Sequence, residues 1–153
     1  MRNQPNKPDT SVLPPQALEI EENIIGALLI DSKAYELIAD MIFVDCFYSR
    51  PHQLIYTAIS QLGENNYPID MSTVTEQLRK NGTLEEVGGM YKIALLTGSI
   101  SSSAHIQFHV QIVYQKYISR QLIRFSADVQ QMAYSDTEDL ADILDKAEDS
   151  FTR

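Results

Sequence analysis

His105 and His109 stand four residues apart, one helical turn, which is the spacing at which two imidazoles can share a metal ion. The residues between them are Ile106-Gln107-Phe108, without the glutamate that zinc peptidases place beside the first histidine. Two partly exposed histidines near a helix start are the plainer reading. Helical di-iron carboxylate sites require a glutamate three residues before each histidine, and Ser49, Ser102 and Ile106 occupy those places here. Cys46 with His52 would be a thiol nucleophile and its base. Asp45 beside the thiol disfavours a thiolate, however, and no third group is evident to orient the base, so a buried or half-buried thiol is the simpler role. None of the glycines precedes a lysine, which leaves no phosphate-cradling loop, and the spaced glycines of a dinucleotide site are also missing. No catalytic, cofactor-binding or metal site is expected in this chain.

Charge is more telling. Lys116, Arg120 and Arg124 recur every four residues and form one basic ridge on a helix, a candidate nucleic-acid contact. Residues 136–149 hold seven acids (Asp136, Glu138, Asp139, Asp142, Asp145, Glu148 and Asp149) against Lys146 alone. The acidic run is either a solvated face or a partner surface, and exposed ridge-to-acid pairs would contribute only about 0 to 1 kcal/mol each. A formal charge of −9 over the 153 residues repels a phosphate backbone, so composition favours a protein partner. The single Cys46 rules out an intrachain disulfide framework, and a reducing compartment, the cytoplasm, is the default. No apolar run is long enough to cross a membrane, and the polar start lacks the apolar centre of an export signal.

The elements that must position these residues are helical throughout. Residues 1–15, with Pro5, Pro8, Pro14 and Pro15, read as a disordered tail. Leu18, Ile24, Ile25, Leu28 and Leu29 mark a helix over 16–30, with Glu19, Glu21 and Glu22 enriching its start. Asp31 and Ser32 should cap a second helix ending near Phe43, and Pro51 suits the first turn of a third that stops around Gly63. Thr73 and Glu76 have capping-box spacing for a fourth, which Asn81-Gly82 should close. Thr83 and Glu86 fit a short turn, Met90 to Leu96 carry a further apolar group, and 98–103 is a small-residue loop.

The longest periodic stretch covers 104–134. Val110, Tyr114, Ile118, Leu122, Phe125, Val129 and Met132 advance in steps of three and four, holding one face along a helix of about 45 Å. Ser135 and Glu138 form another capping box before a last helix whose stripe is Leu140, Ile143, Leu144, Ala147 and Phe151. The expected architecture is all-α: a globular helical bundle over 16–103 followed by a projecting antiparallel helical hairpin over 104–153. Ile106, Ile112, Val113, Tyr117 and Ile123 add large apolar residues beyond the main stripe, more than two helices can cover. Either the hairpin lies across the bundle or it meets a second copy of itself, and two-fold self-association is the favoured solution.

A series of short motifs runs through Pro14-Pro15, Leu18-Glu19-x-Glu21 and Ile25-Gly26-x-Leu28, then Asp45-x-Phe47-Tyr48 with His52, Ile55 and Tyr56. It continues with Ile69-Asp70, Thr73-Val74 and Leu78, the run Gly82-x-Leu84-Glu85-Glu86-Val87-Gly88-Gly89, and Ile112-Val113, Lys116, Arg120 and Leu122-Ile123. In this order and spacing the motifs resemble the start of bacterial replicative DNA helicases of the DnaB type. Ile20 replaces a small residue usual in the family, Lys92 an aromatic, and His109 a frequent tyrosine. The resemblance implies an amino-terminal collar domain without catalytic residues, the ATPase half with its ATP and Mg site and its DNA contacts lying beyond Arg153. It implies dimers made by the hairpin through Val110, Tyr114, Ile118, Leu122, Phe125, Val129, Met132, Leu140 and Leu144, three dimers to a hexameric ring, and docking of primase. The rival expectation is a nucleic-acid-binding helical module that uses the Lys116, Arg120 and Arg124 ridge.

Overall fold

The computed structural model describes residues 12–135 and 139–152, with side chains described as far as Asp149. Most of the expected tail, together with Asp136 and Glu138 of the acidic run and the side chain of Phe151, lies outside the described residues. Among the described residues there are helices and no strands: α1 (Leu18–Ile30), α2 (Ala34–Ile38), a 3-10 turn (Val44–Cys46), α3 (Arg50–Glu64), α4 (Met71–Lys80), α5 (Gly89–Gly98), α6 (Ile106–Ala133) and α7 (Leu140–Thr152).

Two compact units divide the chain, one over Gln16–Tyr117 and the other gathering Ile118 onwards with the first residues. The boundary therefore falls inside α6, after Tyr117, where sequence periodicity puts it before the helix. The start of α6 carries Ile106, Val110 and Val113, and all three are buried in the core of the first unit.

In that unit α1 is central. Every residue from Ile24 to Leu29 is buried, as expected of a helix that is apolar on all sides and surrounded by others. It packs against α2, α3 and α5, while α4 closes on α3 and α5. Gly26 is the condition for the closest of these approaches. A Cβ there would lie 2.7 Å from both the Leu96 carbonyl oxygen and Ile100 Cγ2, so only a residue without a side chain lets α1 lie against the end of α5. Ile24, Ile25, Leu28, Phe47, Ile55, Ile59, Leu78 and Ile93 form the centre of the core.

One helix start and one helix end differ from expectation. The capping box of α4 is built by Asp70 and Thr73: Thr73 N donates to Asp70 Oδ1 at 2.9 Å, and Asp70 N donates back to Thr73 Oγ1 at 2.9 Å. Thr73 is thus the third helical residue rather than the cap. The second correction concerns α2, which stops at Ile38, and the chain from Met41 to Phe47 buries Ile42, Cys46 and Phe47 from a loop and a 3-10 turn. Tyr56 helps to hold that loop by donating its hydroxyl to the Ile42 carbonyl at 3.3 Å. Burial, the largest cause, pushes the Tyr56 phenol well above its usual range.

Candidate interaction surface

The chain from Ala104 to Ser135 contains neither glycine nor proline, so nothing in it interrupts the helical hydrogen bonds of α6. Its first part belongs to the bundle. Val110 is 0% exposed there, which removes it from the set of residues available to a second copy. The physical reason is that α6 serves two neighbourhoods in turn: Ile106 and Val113, together with Tyr117, are covered by the chain's own core, so the apolar excess is smaller than the sequence count implies. Tyr117 meets the ring of Phe43 edge-on at 5.1 Å and lies 6.3 Å from Tyr114, whose ring remains exposed.

From Ile118 the helix enters the second unit, and its apolar residues lose their cover. Ile118, Leu122 and Ile123 are exposed, Leu122 to 50%, while Phe125, Val129 and Met132 are half-buried. On α7 Leu140 is 69% and Leu144 61% exposed, with Ile143 and Ala147 half-buried. Phe125, Ser126, Val129, Gln130 and Ala133 of α6 line one open cleft of about 620 Å³ with Ala147 of α7. These two helices leave large apolar side chains facing water beside that cleft.

The basic ridge is less available than its spacing implies. Arg120 donates through Nη1 to the Pro15 carbonyl at 2.8 Å and is half-buried, as is Lys116, while Arg124 is exposed. Asp139, Asp142, Asp145, Glu148 and Asp149 are exposed.

The histidines go separate ways. His105 is exposed just ahead of α6, and His109 is half-buried with its Nδ1 enclosed and without a hydrogen-bond partner. Among the described residues no three His, Cys, Asp or Glu side chains gather as a metal site would require. Cys46 is buried, and the imidazole of His52 is directed to a carboxylate instead of the thiol.

That carboxylate is Glu21, whose place near the start of α1 by itself points to no more than the dipole of its own helix. Glu21 is 1% exposed, and its oxygens accept from Tyr48 N at 2.9 Å, Ser49 N at 3.3 Å and His52 Nδ1 at 2.9 Å. Ser49 does not cap α3 with its own hydroxyl, so a side chain from α1 supplies the acceptor at the start of that helix. The pair locks α1 to α3. The signal was present in the sequence, since Glu21 and His52 both sit in the motifs quoted for the resemblance.

The chain is thus an all-helical bundle whose long sixth helix continues into a second unit that carries exposed apolar side chains. Residues 13–115 match the family model described as the DnaB-like helicase N terminal domain, and the chain belongs to that family. The replicative DNA helicase DnaC of Bacillus subtilis is 36% identical over 136 residues, covering 89% of this chain and 30% of that protein. DnaB of Rhodothermus marinus is 35% identical over 136 residues, 89% of this chain and 14% of its own length. The chain spans less than a third of the length of these relatives. The crystal structure of the N-terminal domain of DnaB helicase from Mycobacterium tuberculosis matches with a TM-score of 0.85 at 27% identity, over 92% of this chain and 99% of that one. A DnaB-like replicative helicase described with its interactions with primase shares the fold at a TM-score of 0.68 and 20% identity, over 88% of this chain and 31% of that one. No helix among the described residues is long and apolar enough to cross a membrane.

Proposed function

We propose that this chain is the non-catalytic assembly and docking module of a cytoplasmic replicative DNA helicase. Copies associate through the second unit, using Ile118, Leu122, Phe125, Val129 and Met132 of α6 with Leu140 and Leu144 of α7. The observation that carries this reading is the exposure of Leu122, Leu140 and Leu144 on consecutive helices beside an open apolar cleft. Covering such surface contributes roughly 25 cal/mol per Å² of apolar area, from which the costs of association are subtracted.

In the parent enzyme, dimers of this unit assemble in threes as the collar of a hexamer. Primase docks on that collar, in keeping with the primase interactions named for the distant structural relative. ATP, Mg and DNA belong to the helicase domain of the parent. Sedimentation velocity of Leu122→Asp and Phe125→Asp tests the assignment. A shift to smaller species with unchanged helical circular dichroism is the expected result, and an unchanged oligomeric state in a folded variant removes these helices from the interface.

A further inference from the structure

We propose that Asn81 is a site of spontaneous deamidation whose rate is set by an amide triangle between α3 and α4. Asn81 is followed by Gly82, both are exposed, and a residue without a Cβ puts no side chain of its own beside the attacking nitrogen. Asn65 and Asn66 precede Asn66 and Tyr67, whose side chains hinder the same attack.

The reaction balances without an enzyme. The Gly82 backbone nitrogen, after giving its proton to hydroxide, attacks Asn81 Cγ; the new C–N bond closes a five-membered imide, and ammonia leaves. Water then opens either imide carbonyl, leaving an aspartate or a β-linked isoaspartate at position 81. The net change is water consumed and ammonia released.

In the folded chain both reacting groups are engaged. Asn81 Nδ2 donates to Gln61 Oε1 at 2.7 Å, Gln77 Nε2 donates to Asn81 Oδ1 at 3.0 Å and to Gln61 Oε1 at 3.0 Å. Gly82 N donates to the Arg79 carbonyl at 3.1 Å. Attack therefore requires the last turn of α4 to open, and helix ends open at low cost. Once formed, the carboxylate stands at the negative end of the α4 dipole and has lost the donor that bridged to Gln61.

The test is peptide mass spectrometry of the folded chain during incubation at mildly alkaline pH and 37 °C. The mass gain of amide-to-acid conversion should localise to the peptide that contains Asn81 and disappear in Asn81→Gln. In Gln61→Ala the rate should rise roughly fivefold, the factor that loss of one net hydrogen bond brings to the opening equilibrium. Absence of conversion in the folded parent chain, conversion mainly at another asparagine, or an unchanged rate in folded Gln61→Ala would overturn the proposal.

Discussion

Replacing Glu21 by alanine removes the acceptor at the start of α3 and the partner of His52 in one step. Three donors then lose their oxygen: Tyr48 N, Ser49 N and His52 Nδ1, the imidazole lying in a site where its side chain is 5% exposed. Each buried donor left without an acceptor costs about 1 to 3 kcal/mol. The contributions overlap, because water entering the vacated space satisfies the two loop N–H groups in part, so the expected loss is about 3 to 5 kcal/mol. Against a typical domain stability of about 5 to 15 kcal/mol this is a large fraction. Urea unfolding followed by circular dichroism reads the loss as a lower midpoint at an unchanged slope. Glu21→Gln keeps an acceptor oxygen and the volume, and should lose less than half as much. A Glu21→Ala unfolding free energy within about 1 kcal/mol of the parent would mean that these hydrogen bonds contribute nothing beyond what water supplies.

Gly26→Ala should destabilise by about 1 to 3 kcal/mol despite the better helix propensity of alanine, because the new methyl meets the Leu96 carbonyl and Ile100; a raised melting temperature would show that α5 yields freely. The Asp31 carboxyl is held below its ordinary value of 3.8, first by the Ser103 hydroxyl at 2.7 Å and then by the Lys33 backbone N–H at 3.0 Å. A depressed folded-state value means that the stabilisation is present above the ordinary value and is lost as pH falls through the lowered one. Ser103→Ala should move the Asp31 carboxyl titration, followed by carbon NMR, upward toward 3.8, and an unmoved midpoint would assign the effect elsewhere.

Much of the helical order is legible in the sequence because its signals are local. Pro51 in the first turn of α3, Gly98 at the end of α5 and the unbroken stretch of α6 each act through their own backbone. The start of α4 was displaced because Asp70 to Thr73 and Thr73 to Glu76 share the same spacing of three, and only the backbone turn at Asp70 decides between them. The apolar period of Met41 and Ile42 looks helical, yet a loop buries Ile42 equally well once Tyr56 fixes its carbonyl. The Glu21 and His52 contact joins positions 31 residues apart, which no periodicity can pair. Periodicity also treats Val110 and Leu122 as equivalent members of one stripe. One is sealed in the core of the first unit and the other is half exposed, a difference created by which neighbours each part of α6 meets.

The central claim, that the exposed apolar side chains of α6 and α7 exist to be covered by other copies, is tested most directly by sedimentation equilibrium of the chain over a wide concentration range. An average mass that rises with concentration above the 17.3 kDa of a single chain is expected. A mass that stays at the single-chain value at the highest concentrations reached, with the helices intact, would contradict it.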